Sequence, residues 1–199
     1  HTMCSTISPE ALLADLVKSK KAIEAITGVE VFGYRAPSFS ISDAALQTIM
    51  QAGYRYDSSY NSFDRHGRYG TITTNGHPKS GIAIQIAPQF YELPISNLRL
   101  GGQTIPWGGG GYFRILKLKK IKKGVEYILK RQQAYVYYIH PWEIDPEQPR
   151  VKEAKGLPAF RHYLNLNVAY SRLGNMISTF QDCEFITCSQ YLNRHGKYR

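Results

Sequence analysis

Nothing in this chain of 199 residues approaches the ~20 consecutive apolar residues of a membrane span, and no secretory h-region opens it. Low-complexity stretches are missing too. With 43% hydrophobic and 20% charged residues, the composition is that of a folded globular protein. Cysteine is scarce: Cys4, Cys183 and Cys188 have no CxxC spacing. That argues against both a disulfide framework and a Cys-based zinc site, so reduced thiols in a cytoplasmic protein are expected. Position 1 is His rather than Met, which points to a processed chain or a piece of a longer one.

Acidic residues are also few. Against 15 Asp and Glu stand 25 Lys and Arg, for a net charge of +10. Much of the excess lies in Lys117, Lys119, Lys120, Lys122, Lys123, Lys130 and Arg131, with a second group at Arg194, Lys197 and Arg199. Such a balance attracts polyanions, whether nucleic acid, an anionic lipid surface or an acidic polysaccharide. It also describes a solvated helix face and a charged tail. A nucleic-acid partner would rest on charge alone, since no nucleic-acid-binding motif accompanies it, and none is expected.

What is present is a strand–helix–strand rhythm. Ser8 as cap, Pro9 at the first helical position and Gly28 as stop frame a helix with Leu12, Leu16, Ile23 and Ile26 at helical spacing. Residues 29–34 form a β-rich run ending at Arg35-Ala36-Pro37. Ser42 caps a second helix carrying Leu46, Ile49 and Met50, stopped by Gly53, and residues 54–56 read as the next strand. Residues 82–86 and 92–95 read as short strands, and a basic helix is expected from about Phe113 to Arg131. A dense β run at 134–139 precedes His140, a helix follows from about His162 to Phe180, and a strand near Phe185 and a helix near Tyr191 close the chain. Short connections between these elements indicate an α/β fold built on a parallel sheet or barrel, in one domain.

In α/β folds chemistry gathers at the C-terminal edge of the sheet. Arg35, Asp57 and His140 hold such positions. A histidine can act as acid or base, an aspartate can set its tautomer and pKa, and an arginine can hold a second carboxylate or a developing negative charge. Each is also the kind of residue that serves as a satisfied structural polar group. The cluster Gly108 to Gly111 lacks the Lys-Ser/Thr of a P-loop and the third glycine of GxGxxG, which argues against nucleotide binding. Its two remaining readings are close approach of backbone to a ligand or loop, and a hinge. His66, His77 and His195 read as solvent histidines, and His162 as a structural hydrogen-bonding one. Among the many aromatics, Tyr112 and Trp142 are candidates to stack on sugar rings.

Four strings carry a family resemblance: GYRAPSFSIS at 33–42, GYRYDSS at 53–59, GGGYFR at 109–114 and HPWEIDPEQPR at 140–150. Together they resemble the polysaccharide deacetylases of the NodB-homology group, carbohydrate esterase family 4. The nearest subgroup is the one found with exosortase and exopolysaccharide loci. The resemblance runs along essentially the whole of 1–199 as one domain, with 141–199 as a family-specific C-terminal extension containing Arg161-His162-Tyr163-Leu164-Asn165-Leu166.

The resemblance implies a distorted (β/α) barrel, incomplete here at its N-terminus, and a divalent metal, usually zinc, held by one Asp and an H-x-x-x-H pair. His140 matches the acid that protonates the departing amine, Arg35 the arginine that orients the base, and Asp57 the carboxylate that tunes the acid. His1 matches the second metal histidine, with the first histidine and the base-bearing motif expected upstream. The implied function is hydrolysis of N-acetyl groups, a non-peptide C–N bond, on a bacterial exopolysaccharide or its precursor; the chain alone would be inactive. The alternative is a catalytically silent, carbohydrate-binding relative.

Overall fold

In the computed structural model, residues 2–63 and 69–195 are described. They form two compact units, one of 1–95 with 186–199 and one of 96–185. The fold is α/β. No helix among the described residues is long and apolar enough to cross a membrane.

The first unit opens with helix α1 (Pro9–Thr27). Ser8 Oγ accepts a hydrogen bond from the Ala11 amide at 3.2 Å, and Gly28 ends the helix at φ +66°. Helix α2 (Asp43–Gln51) starts the same way, with Ser42 Oγ accepting from the Ala45 amide at 3.1 Å. Both caps satisfy amides that the first turn leaves without partners. Leu12 and Leu16 of α1 pack with Leu46 and Ile49 of α2, Ile41, Tyr54 and Phe90 in one buried cluster. Ile23 and Ile26 were expected on the same apolar face, but Ile26 is 86% exposed.

Five short strands make the sheet: β1 (Gly33–Tyr34), β2 (Tyr56–Asp57), β3 (Lys79–Ser80), β4 (Ala83–Ala87) and β5 (Phe90–Glu92), in the order β1-β2-β5-β4-β3. β1, β2 and β5 run parallel, while β3 and β4 add an antiparallel edge, so the sheet is mixed. The strand expected over 29–34 contributes only its last two residues. The reason is local: Val31 N donates to Glu24 Oε1 at 2.9 Å and Val31 O accepts from Lys20 Nζ, so two α1 side chains take the hydrogen bonds a neighbouring strand would have made. Helix α7 (Cys188–Arg194) returns to this unit, with Leu192 buried against Ala83, Tyr91 and Leu93.

The second unit begins with a hairpin, β6 (Asn97–Leu100) and β7 (Gln103–Pro106), joined by Gly101-Gly102. Both glycines have positive φ, as a two-residue turn with the twist of a hairpin requires. The expected basic helix is two helices, α3 (Gly110–Ile115) and α4 (Leu118–Gln132), and the expected 162–180 helix is α5 (Gly156–Tyr163) and α6 (Leu166–Thr179). Residues 134–139 form no strand. Their one ladder contact is an isolated bridge between Gly109 and Tyr138, and Val136 N donates to the Ser96 hydroxyl at 2.8 Å instead of to a strand. No strand forms near Phe185, which is 62% exposed. The core joins Leu98, Trp107, Phe113, Ile121, Val125, Ile128 and Met176.

Gly124 in α4 tests that core. A Cβ there would lie 2.2 Å from Trp107 ring atoms, and Trp107 is held by a 3.1 Å hydrogen bond from Nε1 to Ile121 O. Alanine is worth ~1 kcal/mol over glycine in a helix, whereas overpacking costs ~1–3 kcal/mol. Gly124→Ala should therefore destabilise the protein in urea denaturation. Gly174→Ala in α6, where nothing lies within 4 Å of the added Cβ, should stabilise it.

Candidate active site

Parallel register puts Tyr34, Asp57 and Glu92 in one row across β1, β2 and β5, at the ends of the strands. Asp57 and Glu92 are both 0% exposed. Asp57 accepts two hydrogen bonds from Ser59, from the amide at 2.8 Å and the hydroxyl at 2.7 Å. Glu92 Oε1 accepts from the Tyr60 amide at 2.9 Å. Glu92 Oε2 is buried without a hydrogen-bond partner among the described residues, and two carboxyls buried beside each other do not both ionise readily. Burial raises the pKa of both, and the neighbouring Asp57 charge raises that of Glu92 further, so Glu92 holds the proton. Arg35 opposes both shifts with its positive charge.

Arg35 follows β1 and reaches across to β2's continuation. Its Nε donates to Ser58 O and its Nη2 to Ser58 Oγ, both at 2.7 Å, and Ser58 Oγ donates to Leu93 O at 2.7 Å. The Ala36 amide donates to Ser59 Oγ at 2.7 Å. The strings GYRAPSFSIS and GYRYDSS are thus interlocked by side-chain hydrogen bonds, and Arg35 and Asp57 belong to one network. Glu92 is the member that sequence reading missed. Its signal was an acidic residue inside a β-rich run, which pairs with Asp57 only once the strand register is known.

His140, Tyr112 and Trp142 lie in the second unit. His140 is exposed and stands just before a 3-10 turn, Pro141–Ile144. Its amide donates to Glu143 Oε2 at 3.0 Å. Its ring lies parallel to Trp142 at 5.8 Å and edge-on to Tyr138 at 6.1 Å. Trp142 in turn stacks on His162 at 4.3 Å, and His162 Nε2 hydrogen-bonds Gln148 Oε1 at 2.8 Å. Tyr112 is half-buried on α3.

Behind this row is an ion pair. Arg114 Nε and Glu143 Oε1 are 3.4 Å apart with side chains 3% and 4% exposed. Arg114 Nη1 also donates to the carbonyls of His162 and Leu164, both at 2.8 Å. Gly110 admits the pair, because a Cβ there would sit 2.2 Å from Glu143 Oε2. The glycine cluster therefore serves close approach to a neighbouring loop. The pairing of Arg114 with Glu143 was not foreseen from the sequence.

His1 and His66 lie outside the described residues. Nδ1 of His77 and of His195 each hydrogen-bonds a backbone carbonyl, of Gln85 at 3.1 Å and of Tyr191 at 2.8 Å. Among the described residues, no three of His, Cys, Asp and Glu come together in a way that could hold a metal ion. The described residues do not by themselves make a metal centre.

Two expectations follow. A buried acid whose folded pKa is raised contributes stability below the ordinary carboxylate range and loses it as pH rises through the raised value. Glu92→Gln keeps an acceptor for Tyr60 and a donor for Asp57 without the ionisation. Against wild type it should be near neutral at about pH 5 and the more stable protein at about pH 8 in urea denaturation. A stability difference that does not change with pH would place the proton elsewhere. Removing one partner of a buried ion pair leaves the other uncompensated, so Glu143→Ala should lower stability by ~3–5 kcal/mol by the same measurement.

Comparison with known proteins finds two families along the chain, meeting within β2. Residues 1–56 match the polysaccharide deacetylase family. Residues 58–193, most of the chain, match a family described as a domain of unknown function, DUF3473. No curated protein matches the chain, and no solved structure does. The chain therefore belongs to the DUF3473 family, and its first 56 residues match the polysaccharide deacetylase family.

Proposed function

We propose that the protein is a hydrolase removing N-acetyl groups from a bacterial exopolysaccharide or its precursor. Water adds to the amide carbonyl carbon as the base takes its proton, the C–N bond breaks, and the amine leaves with a proton from His140. The products are acetate and a free amino sugar. The observation that carries this reading is the state of His140: its backbone is pinned by Glu143 and its ring flanked by Trp142 and Tyr138, yet it is exposed. A held imidazole open to solvent is placed to pass a proton to a leaving group.

In this reading Arg35 orients the base, and Asp57 is the carboxylate that tunes the acid. The buried Asp57–Glu92 pair keeps a single negative charge beside Arg35, an environment fixed before substrate arrives. Tyr112 and Trp142 are the proposed sugar contacts, since pyranose rings present apolar faces to aromatic groups. Strands β1, β2 and β5 belong, in the same reading, to a distorted (β/α) barrel of the NodB-homology type. Polysaccharide deacetylases are generally metal-dependent, and zinc is the metal proposed here. Because the described residues do not form its site, zinc enters as a condition of the assay.

The test is acetate release from an N-acetylated oligosaccharide by the full-length protein, with and without added zinc. His140→Ala and Asp57→Asn should each lower the rate by ~10²–10⁴-fold with the circular dichroism spectrum unchanged. Full activity in His140→Ala would remove the acid from the mechanism. A full-length wild-type protein that binds the oligosaccharide but releases no acetate with zinc present would be the silent carbohydrate-binding relative instead.

A further inference from the structure

Helix α4 carries charge that its own stability does not explain. It buries Ile121, Gly124, Val125 and Ile128 along one side. On the remaining surface Lys119, Lys120, Lys123, Lys130 and Arg131 are exposed, and so is Lys117 immediately before the helix. Lys122 is half-buried, donating to Asn175 Oδ1 at 3.0 Å. The one acidic residue of the helix is Glu126. The ion pairs among the described residues, Lys20–Glu24, Arg55–Glu30 and Arg114–Glu143, involve none of these cations.

This arrangement opposes helix formation in two ways. Lysines at i, i+3 and i, i+4, such as Lys119 with Lys122 and Lys123, repel one another. Lys117, Lys119 and Lys120 also stand at the helix N-terminus, where the macrodipole is positive, with no acidic residue in the first turn and no side-chain cap. A helix face built only for solubility would mix signs or place its cations at the C-terminal end. The array persists at the expense of the helix, as a surface for binding an anion would.

The patch extends onto the hairpin. Tyr127 OH donates to Arg99 O at 3.4 Å, which brings exposed Arg99 beside α4, and Leu100 at the hairpin end is 46% exposed. The Arg131 guanidinium lies on the Tyr127 ring at 3.9 Å, so that ring is covered. We propose that the outward face of α4, together with Arg99 and Leu100, docks the protein peripherally on an anionic lipid surface. Fifteen helical residues span roughly 22 Å. Over that length lysines offer mobile point charges to a diffuse layer of headgroup phosphates, with one apolar side chain beside them. A single-stranded polyanion would be gripped by exposed stacking rings in a groove, and this face has neither. The proposal is independent of the deacetylation reading.

The experiment is co-sedimentation of the protein with vesicles of phosphatidylglycerol and phosphatidylcholine, compared with vesicles of phosphatidylcholine alone. Binding is expected to the mixed vesicles only, and to fall steeply with added salt. Each lysine near an anionic surface contributes about fivefold in affinity, so the triple variant Lys119→Ala, Lys123→Ala, Lys130→Ala should bind roughly 10²-fold more weakly. Alanine favours the helix, so the variant should fold. Lys18→Ala with Lys21→Ala, on α1, should leave binding unchanged. Equal binding to both vesicle types, no binding to either, or full binding by the triple variant would overturn the proposal. So would binding to heparin or single-stranded DNA without binding to the mixed vesicles, which would make the partner a polymer.

Discussion

The second unit depends on one buried guanidinium. Arg114 is paired with Glu143 and takes the C-terminal carbonyls of α5 at His162 and Leu164. Its own carbonyl accepts from Asn165 Nδ2 at 2.8 Å and from Arg172 Nη1 at 2.9 Å. Helices α3, α5 and α6 and the turn after His140 therefore meet at a single residue. A buried ion pair is not in itself a strong source of stability, because desolvation offsets most of the attraction. Its worth lies in geometry: once both charges are dry, few other arrangements of these segments would satisfy them. Glu143 transmits that constraint to His140 by accepting its amide.

In the first unit an acid pair plays the corresponding part. Asp57 and Glu92 are brought together by strand register and buried, and burial with their mutual repulsion favours a proton on the pair over two charges. Ser59, Tyr60 and Arg35 then fix the orientation of the remaining charge and of the backbone around it. Each unit thus fixes its candidate residues through buried polar contacts, although Glu92 Oε2, Arg114 Nε and Arg172 Nε are left without hydrogen-bond partners among the described residues. Preorganisation of this kind suits a hydrolase, whose transition state develops charge that fixed dipoles stabilise without rearrangement.

Motif strings that lie far apart in the chain have a physical reason to occur together. GGGYFR needs Gly110 to make room for Glu143 of HPWEID and Arg114 to neutralise it, and the run Arg161 to Asn165 supplies carbonyls and an amide to the same arginine. A change in one string would leave a charge or a carbonyl unsatisfied in another.

Local chemistry was legible in the sequence. The caps at Ser8 and Ser42, the stop at Gly28 and the amphipathic stretches of α1, α2 and α4 depend on neighbours within a turn, so residue order alone determines them. The polar residues at strand ends, Arg35 and Asp57, could be named for the same reason. Elements set by distant partners could not. The helix expected after His162 breaks at Asn165, which adopts φ +57° while its side chain reaches the Arg114 carbonyl. The expected basic helix breaks where Arg172 binds the carbonyls of Arg114 and Leu116. Residues 134–139 have every local feature of a strand but meet a serine hydroxyl and a glycine loop instead of a strand edge. Glu92 became a partner of Asp57 only through register across β2 and β5, and α7 joined the first unit only through the burial of Leu192. Helix boundaries are decided by hydrogen bonds four residues apart, which the sequence carries within itself. Strand pairing, buried charge and the site are decided by which groups exclude water from one another, and that is settled only when the chain has folded.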